Sequence, residues 1–465
     1  MGPCQFSGSA TQIAACIVAS LPVFMAGIVL GWPSPVMEYM STGRAPLSLT
    51  PAQMSWMVAC IDVGNFAMAV PAGWLMDRVG RKYAVTTSAP LMFAGWMFIL
   101  FGRQAWCLLV ARLLQGFSVG IAWVVVPAYV GEMASIRIRG KLSLLVQISY
   151  ALGLLFSYSA GWLLGDYTAL TATSACVAVV SGALFLFLPE SPYYLMLDDR
   201  PDEAAVCLWS LRSYTDDDLQ TELLTVKHSI SNDRDKGSVR DLLNRDRRPL
   251  VIVIVLAVLQ MACGASVLEA YAASIMSGTH ISANASAVYL GLVVLVAAVP
   301  FALVVDRCGR RPLMIVSCFG TAACHAAVAI VLWGRDTVGR SWQPLFWPIA
   351  GAQFFINIGL MPLLSVVQCE YFPSDTRALA DTAVVLAVTI TSTVMITIYQ
   401  PVADALCASA NFGIYSAASL AGGLFCCLFM PETKQKSFAE IQMDFHKTKR
   451  HANDGVHKLC DYQEI

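Results

Sequence analysis

The sequence predicts an all-α membrane protein of twelve transmembrane helices, arranged as two parallel six-helix halves joined by a cytoplasmic helical linker. Three observations carry this. Apolar residues fill 57% of the 465 positions and charged ones only 13%, with a mean hydropathy of +0.63, whereas a soluble domain carries about 25% charge. Twelve apolar runs are each long enough for a spanning helix, which needs roughly 20 residues. A charged signature after the second run, Asp77-Arg78-Val79-Gly80-Arg81-Lys82, returns after the eighth as Asp306-Arg307-Cys308-Gly309-Arg310-Arg311, 229 residues on.

The runs lie near 12–32, 53–76, 84–101, 105–130, 142–164 and 168–188, then 250–276, 286–305, 312–333, 344–369, 379–400 and 411–430. Residues 1–189 form the first bundle, 190–249 the linker, 250–430 the second bundle and 431–465 a tail. The stretch before the first run is uncharged, unlike the basic start of a cleaved signal peptide. Two further echoes support the repeat. Glu132 precedes Arg139 by seven residues as Glu370 precedes Arg377, and Pro189-Glu190-Ser191 returns as Pro431-Glu432-Thr433. Parallel repeats of this kind belong to one large class of secondary transporters.

Lysine and arginine placement sets the orientation. Basic residues crowd the hairpins after runs 2, 4, 8 and 10, the linker and the tail. The opposite side has little beyond Arg44, Arg103, Arg335 and Arg340. Both termini are therefore expected in the cytoplasm of a plasma-membrane protein. The sequon Asn284-Ala285-Ser286 then falls outside, making Asn284 the candidate glycosylation site, close to run 8. In the linker, Pro201 opens one helical pattern and Leu219 to Ile230 suggests another; with Ser437 to Phe445 they would form a cytoplasmic collar. A partly disordered linker is the alternative.

Several function classes fall away. A net charge of −1 offers nucleic acid nothing. The fifteen cysteines, odd in number and mostly inside apolar runs, read as small packing residues. No catalytic constellation and no phosphate-cradling glycine loop is visible, so neither an enzyme nor a cofactor is expected. His325 stands alone, without the convergent groups that metal ligation needs.

The boundary charges need a reason, because unpaired they cost several kcal/mol. Asp77, Arg78, Arg81, Glu132, Arg139 and Glu190 in the first half correspond to Asp306, Arg307, Arg310, Glu370, Arg377 and Glu432 in the second. Opposite charges on separate helix ends pair only when those ends converge, so this set reads as a cytoplasmic gate that releases on opening. Plain topology anchors are the alternative, but positive-inside bias needs no acids.

At this point the chain resembles the sugar porters of the major facilitator superfamily. The resemblance rests on the paired hairpins, Arg112-Leu-Leu-Gln115-Gly116, Pro127-Ala-Tyr129-Val-Gly131-Glu132, Arg139-Gly140, Pro189-Glu190-Ser191-Pro192 and Pro431-Glu432-Thr433-Lys434, in the family's order across almost the whole chain. Its texture is most similar to insect facilitated trehalose transporters, including Gly31-Trp32-Pro-Ser-Pro. The resemblance implies alternating access and a small-molecule sugar bound at the midplane. Gln147 matches a family sugar ligand, with Tyr150 and Leu154 following on its face. Gln260 is kept, Gly264 allows a helix break, Tyr271 belongs to an exterior gate, and Asn357 supplies a further polar group.

Departures are many. Met261, Ser266, Ala270, Val294, Ser365 and Val388-Thr389 replace family polar or aromatic residues and Leu364 a family proline, leaving Ser266 and Ser365 as the substitutes nearest the expected ligand. Each missing hydrogen bond is worth on the order of 0.5–1.5 kcal/mol. A non-transporting sugar sensor, or a carrier of another small polar solute or a cation, therefore stays open beside a trehalose or hexose facilitator. Val29 stands where proton-linked sugar porters carry an aspartate, which favours facilitated diffusion. Four acids are unexpected: Asp62, Glu269, Asp381 and Asp404. On a straight helix Glu269 would lie opposite Gln260, unless a break at Gly264 turns it inward.

Overall fold

Eleven segments among the described residues are long and apolar enough to cross a membrane, and they follow the expected runs closely. The computed structural model describes residues 8–135, 138–212, 216–233, 238–276, 282–338, 345–434, 436, 440–441 and 445. Spans 1 to 6 are Thr11–Ser41, Pro51–Val79, Arg81–Phe101, Ala105–Met133, Leu144–Leu164 and Tyr167–Leu186. Span 7 begins with Arg247–Ala270, and spans 9 to 12 are Arg310–Gly334, Phe346–Tyr371, Asp375–Ala405 and Ala408–Phe429. The helix Ala283–Cys308 is span 8, its shorter apolar stretch being Ala283–Ala298.

The boundaries have local causes. Thr50 caps span 2 by accepting from the N–H of Gln53, whose side chain accepts from the Thr50 N–H, so two helix-end donors are satisfied reciprocally. Span 1 runs nine residues past the expected 32, to Ser41. Trp32 keeps helical angles (φ −57, ψ −35) and Pro33 and Pro35 occupy the first turn of the continuation, where a missing N–H is tolerated. Span 7 is in three pieces, Arg247–Ala262, Ala265–Ala270 and Ala272–Ile275. Gly264 takes φ +84, and a Cβ there would meet the Tyr415 ring, so glycine is required for the break. Span 10 carries one π-helical turn, Ile356–Leu360, just before Pro362.

Spans 1 to 6 pack mainly among themselves, as do spans 7 to 12. The two sets meet along span 2 with span 11 and span 5 with span 8, while the last piece of span 7 meets the end of span 1. That last contact lies on the side opposite the basic hairpins. There the N–H of Ala273 donates to Ser34 Oγ at 2.9 Å.

Both expected linker helices form, as Pro201–Arg212 and Asp216–Asp233. The first packs against the start of span 1, and Cys207 Sγ donates to the Glu190 carbonyl at 3.3 Å. A further short helix, Val239–Asn244, serves the second half instead. Just after it, Arg245 bonds Asp375 at 2.9 Å and Asp246 accepts from Thr376 at 2.7 Å. Most of the expected tail helix falls outside the described residues, although Phe445 stacks edge-on against Tyr371, centroids 5.0 Å apart.

Candidate functional site

Two sets of polar side chains stand out in this fold: one at the hairpin side, the other where the two halves meet. In the first, Arg81 is almost fully buried and grips Glu132 at 3.0–3.1 Å through Nε and Nη2. Glu190 accepts the N–H groups of Arg81 and Lys82 at 3.0 Å and of Ser191 at 2.8 Å. The second half repeats this. Arg310 binds Glu370 at 2.9–3.0 Å, and Glu432 accepts N–H bonds from Arg310, Arg311, Thr433 and Lys434 at 2.9–3.1 Å. Burial lifts the Glu432 carboxyl, but those four donors outweigh it and hold the group below its ordinary 4.5.

In this conformation the charged network pairs within each half. Among the described residues, every ion pair of the network stays inside one half, with Asp77 3.8 Å from Arg81. The cause is local: each glutamate faces the hairpin of its own repeat, and Gly80 (φ +96) and Gly309 (φ +89) bring the hairpin backbone onto Glu190 and Glu432. Arg78 lies over the Trp74 ring at 4.9 Å, Arg377 donates to the Phe372 carbonyl at 3.1 Å, and the Arg307 carbonyl accepts from Lys434. The side chains of Arg139 and Asp306 lie outside the described residues.

The second set crosses the seam. Tyr150 of span 5 donates to Glu269 Oε2 of span 7 at 2.6 Å, and Tyr158 donates to the Glu269 carbonyl at 2.5 Å. The Gly264 break has turned Glu269 inward, off the straight-helix position opposite Gln260. Asp62 of span 2 faces Ser392 of span 11, and its Oδ2 has no hydrogen-bond partner. Tyr271 stacks on Tyr399 with centroids 4.7 Å apart and faces Ser55 of span 2.

The expected ligand residues are placed unevenly. Gln147 is half buried one turn before Tyr150, whose ring packs on Trp123 at 5.5 Å. Gln260 donates to the Met361 carbonyl at 3.2 Å, joining span 7 to the residue just after the π-helical turn of span 10, and its Oε1 is buried without a partner among the described residues. Ser266 Oγ, beyond the break, is likewise buried and unpartnered. Asn357 spends its Nδ2 on the Gln353 carbonyl of its own helix at 2.9 Å, and Ser365 is exposed. Asn284 is buried in the first turn of span 8.

Asp381 accepts from Gln368 at 2.5 Å and Asp404 from Gln400 at 2.9 Å, so both are locally satisfied. His325 is buried between Phe412 and Tyr415, each ring 5.8 Å away, and no cluster of three metal-ligating side chains occurs among the described residues. Sequence reasoning missed Tyr158 and Ser34. Tyr158 follows Tyr150 by eight residues, on one face of a helix, and that spacing was a readable signal.

A family model described as sugar (and other) transporter matches residues 15–445. The chain belongs to the sugar transporter family. Relatives within it include sugar transporter ERD6-like 6 of Arabidopsis thaliana, 27% identical, covering 94% of this chain and 91% of that one. The facilitated trehalose transporter Tret1 of Polypedilum vanderplanki is 27% identical over 93% of this chain and 87% of its own. The facilitated glucose transporter member 8 of solute carrier family 2 from Bos taurus is also 27% identical, covering 93% and 94%. The fold is that of the solved xylose transporter XylE from E. coli. Its inward-open form gives a TM-score of 0.78 at 20% identity, covering 93% of this chain and 99% of that one. Its form bound to 6-bromo-6-deoxy-D-glucose gives 0.75 at 22%, covering 94% and 99%. The chain is thus a multi-pass membrane sugar transporter of the major facilitator fold, in a family of carriers, not enzymes.

Proposed function

We propose that this chain is a facilitative carrier of a small neutral sugar, trehalose or a hexose, working by alternating access in the plasma membrane with both termini in the cytoplasm. One observation carries the reading: Gln260 Oε1 and Ser266 Oγ flank the Gly264 break, buried and without partners among the described residues. Orphaned neutral acceptors and donors at a broken helix match sugar hydroxyls, and leaving them unpaired costs about 1–3 kcal/mol each. Gln147 on span 5 would face them from the first half, with Tyr150, Asn357 and Ser365 around the solute and Tyr271 as an exterior gate.

On this orientation the basic hairpins are cytoplasmic, and the seam at Ser34, Tyr150 and Glu269 closes the exterior. Arg139 and Arg377 would engage the opposite half only when the cytoplasmic side closes. Val29 offers no acid at that position of span 1, and its carbonyl accepts from Arg112 at 2.9 Å, which supports diffusion without proton symport through that position. Labelled trehalose and glucose uptake into proteoliposomes, with Gln147→Ala as control, tests the proposal.

A non-transporting sugar sensor is the second reading. The amide nitrogens of Gln260 and Asn357 are spent on carbonyls, which weakens the second half as a ligand site. Sugar binding without flux would establish it.

A further inference from the structure

We propose that Glu269 is a proton-binding site supplied from exterior water, and that its proton holds the exterior seam shut. The inference rests on the orientation given under the proposed function, but not on the identity of the solute.

Glu269 is 7% exposed and sits across the seam from the first half. The groups facing it are Tyr150 and Tyr158 on span 5, Asp62 on span 2, and Cys263 on its own span. None is a cation, and no lysine, arginine or histidine pairs with it among the described residues. Asp62 differs. It faces Arg112 of span 4, Tyr150 and Ser392, while Arg112 also faces Cys60 and Tyr167. Arg112 is itself fully buried and, among the described residues, bonded to neutral acceptors, the carbonyls of Met57 and Val29 and the amide oxygen of Gln115. No ion pair joins Asp62 to Arg112 among the described residues, but Arg112 is the cation on that side of the seam, and Glu269 faces the acidic Asp62 with no counter-charge of its own. An uncompensated buried carboxylate of that kind is costly, while the neutral acid is not. The proton sits on Oε1, and Oε2 accepts from Tyr150.

Opening the exterior separates span 5 from span 7. The Tyr150–Glu269 bond breaks, water reaches the acid, and the proton leaves to the exterior solution. The closed form thus binds one proton more than the open form. Low pH favours closure, and the open-to-closed ratio rises by up to about tenfold per pH unit as pH increases. The proton returns to the side it came from, so the device regulates a facilitator without coupling it.

The test is a distance measurement by electron spin resonance on the full chain in lipid nanodiscs. Genetically encoded spin labels would replace Arg103 and Leu406, exposed residues on the exterior ends of the two halves. The long-distance population should grow from acid to alkaline pH with a one-proton slope. Glu269→Gln should stay short at every pH. Tyr150→Phe, which keeps the acid and removes the bond, should keep the pH response with more open form throughout. A pH-independent wild type, an unaltered response in Glu269→Gln, or a flat response in Tyr150→Phe would overturn the proposal. No sugar enters the measurement, so a failure to transport leaves its outcome unaffected.

Discussion

Tyr158 and Glu269 stand 111 residues apart in sequence, yet the tyrosine hydroxyl donates to the glutamate's main-chain carbonyl at 2.5 Å. The bond ties span 5 of one half to the broken span 7 of the other and satisfies a carbonyl that the helix break leaves exposed. Removing one partner of a buried bond costs about 1–3 kcal/mol. Tyr158→Phe should therefore weaken the seam by that order, read as greater accessibility of the exterior face and a lower Tm. An unchanged Tm and accessibility would place the seam's strength elsewhere.

The close approach of spans 1 and 5 is a second dependency. A Cβ at Gly153 would overlap the Phe24 carbonyl, and one at Gly27 the Tyr150 carbonyl. Backbone has little room to yield, and overpacking costs about 1–3 kcal/mol. Gly153→Val should lower the melting temperature in detergent and the yield of monodisperse protein. Gly131→Ala, where nothing lies within 4 Å, should leave both unchanged.

Much of this architecture was legible in the sequence. Apolar runs marked the spans, and the doubled Asp-Arg-x-Gly-Arg hairpin at Asp77 and Asp306 identified the two halves. Partner choice was not. Arg81 and Glu132 in the first half answer to Arg310 and Glu370 in the second, 51 and 60 residues apart, so the sequence alone allows pairing within or between halves, and only the packed geometry selects the former. The orientation of Glu269 was hidden for another reason. Nine residues of uninterrupted helix put it opposite Gln260, and a single positive φ at Gly264 resets that phase. Trp32 shows the limit of proline as a stop signal, since two prolines after it extend span 1 instead of ending it.

The hairpin staples should act on stability more than on conformation. Arg81 and Glu132 share a bidentate, largely buried contact. A double-mutant cycle with Arg81→Ala and Glu132→Ala should give a coupling of roughly 1.5–3 kcal/mol, as for hydrogen bonds to charged groups. Additive effects, measured by thermal unfolding in detergent, would mean the pair contributes little.

Glu432 gives a pH dependence with a defined sign. Four backbone donors hold its carboxyl below 4.5 in the folded protein. Its contribution is therefore present above the unfolded value and is lost as pH falls through the lower folded one. Wild type should melt higher than Glu432→Gln at neutral pH, with the gap narrowing in acid below the ordinary glutamate range, about 4.3. A gap constant with pH would show that the charge is not what the four donors recognise.

The central claim is that the two halves move a neutral sugar between them. Time-dependent uptake of labelled trehalose and glucose into proteoliposomes, without a proton gradient, tests it most directly. Saturable uptake of at least one sugar, reduced in Gln147→Ala, is the expected result. No uptake of either by protein verified as folded would contradict it and favour the sensor.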